Sequence, residues 1–161
     1  MFSPEVPQWQ PVTLQNDNAT PTVLSTELIN DYLSAWYQVQ IESAHSITLH
    51  IGEYTEPLAT LLQATGSRHA AYITACNPAS QILAPKENRV ATIRLREQLT
   101  SYSKHIYVGE SIDPAGKWPA EASFLALGID LAAAATIGCS FGQNAILWIN
   151  TDAIPRLVLL R

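Results

Sequence analysis

The sequence predicts an α/β (mixed α+β) fold: one domain in which a mixed sheet of about six strands packs with about four helices. Apolar residues recur with period two in some stretches, as at Tyr37, Val39 and Ile41, and at helical spacing in others, as at Leu58, Leu61 and Leu62. The two patterns alternate along the chain. At 161 residues the chain suits one domain, which at that length buries roughly 70% of the surface its unfolded form exposes. Hydrophobic residues make up 47% and charged residues 14%, the latter well under the usual share of about a quarter. The surface is therefore lightly charged, or partly covered by a partner.

Residues 1–22 read as a proline-rich arm, because Pro4, Pro7, Pro11 and Pro21 oppose a regular element, and Trp9 is available to pin it. The domain then occupies residues 23–161. Ser25 caps a short helix carrying Leu28, Ile29, Tyr32 and Leu33, with Leu24 as its staple. From Trp36 the alternation predicts a hairpin of two strands turning through Ser43-Ala44-His45. A second helix, from Glu56 to Thr65, ends at Gly66, which tolerates the left-handed cap conformation.

The run from Ala70 to Cys76 predicts a buried strand that stops in Asn77-Pro78-Ala79-Ser80, with Pro78 pushing Asn77 into an extended conformation. Pro85 opens the third helix. A helical wheel sets Asn88, Ala91, Thr92, Leu95, Leu99 and Tyr102 on its core-facing stripe, so Asn88 points toward the end of the preceding strand. A strand at His105–Val108 follows, then a turn through Asp113-Pro114-Ala115-Gly116. Glu121, Ser123, Leu125 and Leu127 share one face of the next strand, and Ala122, Phe124 and Ala126 the other. Asp130 caps the last helix, Gly142 ends it, and Ala145–Ile149 and Arg156–Leu160 are closing strands.

Several functional classes are excluded by composition and spacing. Nine Lys and Arg against fourteen Asp and Glu give a net charge of −5 with no extended basic cluster, so nucleic acid is not an expected partner. Cys76 and Cys139 lack C-x-x-C spacing and read as two buried thiols in a reducing compartment. The N-terminus has no signal-peptide pattern, and Glu121 and Asp130 interrupt the longest apolar stretch. No membrane association and a cytoplasmic location are expected, and the sequon at Asn18 is then without consequence. Glycine-rich phosphate loops are absent, and His45, His50, His69 and His105 lack zinc spacing, so neither cofactor nor metal is expected. Gly138-Cys139-Ser140-Phe141-Gly142 ends a helix and is no nucleophile elbow.

Four motifs in order, Thr74-Ala75-Cys76-Asn77-Pro78-Ala79-Ser80, Glu87-Asn88-Arg89, Trp118-Pro119-Ala120-Glu121-Ala122-Ser123 and Phe141-Gly142-Gln143-Asn144-Ala145-Ile146, carry a resemblance. The chain resembles a bacterial family catalogued only as a domain of unknown function, number 3293. The resemblance spans roughly residues 36–158 and implies no activity. Where that family tends to have a larger apolar or aromatic residue before Asn-Pro, this chain has Cys76, which argues against the thiol as an essential nucleophile.

From the residues themselves, polar side chains gathered at strand ends and helix starts point to a ligand site, as at the carboxyl ends of strands in open α/β sheets. Thr74, Asn77, Ser80 and Asn88 would orient the ligand, Arg89 would take a negative charge or bridge to Glu121, and Trp118 would supply an apolar wall. Ser123, Gln143 and Asn144 complete the set. Glu121, at the start of an apolar strand, is the catalytic candidate, since desolvation would raise its pKa and suit it to proton transfer. Each residue also has a purely structural reading as a turn former or helix-terminus hydrogen-bonder. The expectation is binding, with or without catalysis, of a small polar or anionic molecule, nucleotide-like compounds included. The alternative is a non-catalytic interaction module acting through a homodimer or partner.

Overall fold

Alternating and helical stretches become two faces of one sheet, each covered by a helix pair. The structure is a computed structural model that describes residues 13–15 and 21–161. Its strands are β1 (Thr13–Gln15), β2 (Trp36–Glu42), β3 (His45–Leu49), β4 (Ala70–Thr74), β5 (His105–Ile112), β6 (Glu121–Leu127), β7 (Ala145–Ile149) and β8 (Pro155–Leu159). The helices are α1 (Thr26–Ser34), α2 (Glu56–Thr65), α3 (Pro85–Thr100) and α4 (Leu131–Ser140). The mixed sheet has the order β1-β8-β7-β4-β6-β5-β2-β3 among the described residues, eight strands where about six were expected. All neighbours are antiparallel except β1 and β8, which run parallel.

The helix signals act as the sequence implies. Ser25 accepts from the Leu28 N–H at 3.1 Å and Asp130 from the Ala133 N–H at 2.7 Å, each satisfying a donor that the first turn leaves free. Gly66 closes α2 at φ 66°. Three sequence expectations change. Within the stretch read as an irregular arm, Thr13–Gln15 adds a short strand to the β8 edge; Trp9 and most of the arm lie outside the described residues. Cys139 is exposed, whereas Cys76 is buried, and neither is in a disulfide. Tyr102, assigned to the core stripe of α3, is 55% exposed because the helix has already ended at Thr100.

Period two sorts the core. Tyr72, Leu125, Leu147 and Leu157 face α1 and α2, where they pack with Leu58 and Leu62. Ile73, Phe124, Ile146 and Val158 face α3 and α4, with Leu95, Leu99 and Ile137. Each fully buried aliphatic side chain of this kind contributes about 1.5–3 kcal/mol. At the far end of β4, His69 stacks on Trp148 with ring centroids 5.1 Å apart.

Because β4 is antiparallel to both neighbours, its last residues lie beside the first residues of β6 and β7. Thr74 pairs with Ser123, and Tyr72 with Leu147. Three motifs far apart in sequence therefore meet at one sheet end. The rule for parallel sheets that guided the sequence reading does not apply; antiparallel pairing produces the convergence instead. Nearby, the Tyr72 hydroxyl donates to the Gln38 carbonyl at 2.8 Å, passing over Gly109 of β5. A Cβ at residue 109 would lie 2.7 Å from that hydroxyl and press on the Gln38 carbonyl. Gly109→Ala should therefore destabilise the fold by about 1–3 kcal/mol through overpacking, read as a lower urea midpoint; an unchanged midpoint would contradict this close approach.

Candidate functional site

At the end of β4 the backbone leaves the sheet through a left-handed turn. Asn77, Ala79 and Ser80 have φ of 48°, 54° and 59°. The expected extended conformation of Asn77 is thus not found. Pro78 disfavours the right-handed helical region for its predecessor, and asparagine is among the few residues that occupy the left-handed region readily. Side chains then fix it there. The Asn77 N–H donates to Asn88 Oδ1 at 2.9 Å, and Asn88 Nδ2 returns a bond to Asn77 Oδ1 at 2.8 Å. The Leu83 N–H donates to the same Oδ1 at 2.9 Å. With its oxygen so occupied, the carboxamide directs Nδ2 to Glu121 Oε2 at 2.8 Å.

The turn is also anchored from the loop between α4 and β7. The Ala79 N–H donates to the Gly142 carbonyl at 2.8 Å, and Gln143 Nε2 donates to the Cys76 carbonyl at 3.1 Å. Asn144 Nδ2 donates to Ser80 Oγ at 2.9 Å. Thr74 Oγ1 donates to the Ala122 carbonyl at 2.7 Å and accepts from the Cys76 N–H at 3.0 Å. Much of the polar chemistry expected of these residues is therefore spent on holding the turn.

Beneath α1, this turn opens on a cavity of about 90 Å³. A single water needs roughly 10–15 Å³, so there is room for several water-sized groups. Thr74, Asn77, Ser80, Trp118, Glu121 and Gln143 line it, as the sequence suggested. Asn88, Ser123 and Asn144 stand behind, bonded to the lining residues Asn77, Ser111 and Ser80 respectively, with the Ser111 and Ser123 hydroxyls 3.0 Å apart. Arg89 is exposed on α3 and does not line the cavity, and no ion pair joins it to Glu121 among the described residues.

Sequence reasoning missed the roof and the far wall. Leu28, Asp31 and Tyr32 come from α1, Ala35 from its C-cap, Tyr37 from β2, Tyr72 from β4, and Asp113 from the loop before β6. That loop folds around Asp113, whose carboxylate accepts from the N–H groups of Ala115, Lys117 and Trp118 at 2.8–3.1 Å. Asp31 then ties roof to wall, accepting from Trp118 Nε1 at 3.1 Å and pairing with Lys117 Nζ at 2.8 Å. These two bonds, that to Lys117 foremost, hold the Asp31 carboxyl below its ordinary range. An acidic residue inside an amphipathic helix was the one available signal for this contact, and it resembles any solvated position.

Burial pushes the Tyr37 and Tyr72 phenols well above their ordinary range. Both stay neutral donors, Tyr37 to the Tyr32 carbonyl at 2.6 Å and Tyr72 to Gln38. Burial likewise raises the Glu121 carboxyl, opposed by the bond from Asn77. Among the described residues, no three His, Cys, Asp or Glu side chains gather where a metal ion could be held, and no helix is long and apolar enough to cross a membrane.

A family model described as Protein of unknown function (DUF3293) matches residues 73–146, and the chain resembles that family from the end of β4 into β7. No curated protein and no solved structure matches the chain.

The raised pKa of Glu121 has a consequence for stability. A group whose folded pKa exceeds its unfolded value, about 4.3 for glutamate, stabilises the fold below that unfolded value and loses the contribution as pH rises through the folded one. At neutral pH the charge on this half-buried carboxylate is therefore expected to oppose folding. Glu121→Gln, which keeps an acceptor for Asn77, should melt higher than wild type at pH 7, with the gain shrinking toward pH 4. Equal melting temperatures at every pH would show that burial does not disfavour this charge.

Proposed function

We propose that the protein binds a small polar molecule in the cavity beneath α1, with Glu121 as the group that accepts or donates a proton. One observation carries the reading. A carboxylate with its pKa raised by burial is held by Asn77 at the wall of a cavity otherwise rich in aromatic and aliphatic side chains. Perturbed acids in enclosed, mainly apolar cavities are the usual signature of binding or proton-transfer sites. The cluster of three left-handed residues supports the reading, since backbone strain of about 1–3 kcal/mol per residue concentrates where function requires a fixed geometry.

The strain has a use here. It turns the Asn77 carboxamide back under the sheet end, so that one side chain links α3 to the cavity wall. The anionic part of the expected ligand range loses its carrier, because Arg89 is exposed and apart from the cavity. A neutral or positively charged polar molecule fits the lining better. The hydroxyls of Ser80 and Ser111 also line the cavity, bonded to Asn144 and Ser123 behind them.

The test is a thermal-shift screen of small neutral, cationic and anionic compounds against wild type and an Ala35→Phe variant, in which a ring from the end of α1 narrows the cavity. A compound at a hundred times its dissociation constant stabilises by about 2.7 kcal/mol, several degrees for a domain this size. Hits of any class that disappear in Ala35→Phe support the proposal. An absence of hits in every class, or hits indifferent to the variant, would sink it and turn attention to an interaction role, for which Val90 and Ile93, exposed one turn apart on α3, are the first surface to probe.

A further inference from the structure

The ionisable groups on the cavity wall are all of one kind. Asp31, Asp113 and Glu121 contribute carboxylates, the phenols of Tyr37 and Tyr72 are neutral donors, and no Lys, Arg or His lines the cavity. Two of the three carboxylates are already committed. Asp31 is paired with Lys117, and Asp113 holds its own loop through three backbone N–H groups. Glu121 differs. Its bond comes from the neutral amide of Asn77, and no salt bridge reaches it among the described residues. Lys117 is paired with Asp31 and Glu27, and Arg161 makes a long contact of 3.4 Å to Asn144.

A desolvated carboxylate without a cation is costly, and an opposite charge brought beside it removes the cost. An anion in the same cavity would meet three carboxylates, with the Lys117 ammonium already paired to one of them, Asp31. We propose that the natural ligand of this cavity is a small organic amine, bound as its ammonium ion against Glu121 with its carbon skeleton on the Trp118 and tyrosine rings. This rests on the cavity reading above and narrows it to one chemical class. An ammonium group brings three N–H donors and no acceptor, which suits a wall of carboxylate and hydroxyl oxygens. The skeleton is limited to several heavy atoms by a volume of about 90 Å³.

Matched trios of probes separate charge from shape: benzylamine, benzyl alcohol and benzoate, and the cyclohexylmethyl equivalents, titrated into ¹⁵N-labelled full-length protein. The proposal expects the amine of each trio to bind at least tenfold tighter than its alcohol. Shifts should centre on the Trp118 indole N–H and the residues around Asn77, and the advantage should fall about tenfold or more in Glu121→Gln. Glu53→Gln, the second variant, removes an exposed carboxylate outside the cavity and should keep most of it. Alcohols or acids that bind as well as the amines, with the same residues shifting, would overturn the amine class while leaving the site reading intact. No shift at these residues from any probe, alongside a failed compound screen, would overturn both. Amine binding that survives Glu121→Gln in a folded variant would also overturn the proposal, marking diffuse attraction to a negatively charged surface.

Discussion

The left-handed backbone of Asn77 is the constraint on which the geometry of the sheet end depends. Its conformation reverses the chain at the end of β4, directs the next turn against Gly142, and lets a single carboxamide touch both α3 and β6. A non-glycine residue in that region is uncommon, asparagine enters it more readily than most, and four bonds of its amide and carboxamide groups fix it there. Gly142, itself at φ 68°, completes the fit, because a Cβ there would approach the Pro78 ring to 3.0 Å.

A second constraint is electrostatic. The fold accepts a carboxylate in a place where burial raises its pKa and supplies only a neutral amide as donor. Optimising stability alone would favour glutamine at that position. Sites that keep such a charge at a cost to the fold are where local consistency is set aside for function. α1 has no fully buried residue, yet forms the roof over this group, so the roof is held chiefly by half-buried apolar contacts and by the tie from Asp31 to Lys117 and Trp118.

Much of this was legible in the sequence. Period-two alternation located β2, β3 and β6, short apolar runs marked the other strands from β4 to β8, the caps at Ser25, Gly66 and Asp130 act as read, and the mixed α/β class follows from their order. The wheel that aimed Asn88 at the end of β4 found the bond that fixes Asn77. Desolvation of Glu121 was foreseeable because an acidic residue opened an otherwise apolar strand. What was not legible depended on strand order and chain reversal. Local patterns cannot reveal that α1 roofs the cavity, that Asp31 reaches Trp118 across 87 residues, or that Arg89 points away from it. The Asn77 conformation was missed for a different reason: an extended residue before proline is the common outcome, and only the tertiary bonds to Asn88, Leu83 and Glu121 overrule it.

The most direct test of this account is a double-mutant cycle between Asn77 and Asn88. Stability is measured by urea unfolding for wild type, Asn77→Ala, Asn88→Ala and the double variant. Strain from alanine at a left-handed position enters both arms containing Asn77→Ala and cancels, leaving the side-chain coupling. Asn77→Ala keeps the backbone N–H that donates to Asn88, so the cycle reads the bond from Asn88 Nδ2 to Asn77 Oδ1 alone. Residues sharing a hydrogen-bond network couple by about 0.5–3 kcal/mol, and this bond predicts a favourable coupling of at least about 0.5 kcal/mol. A coupling indistinguishable from zero would mean that the Asn88 carboxamide does not hold the Asn77 side chain, and the geometry built on that link would be wrong.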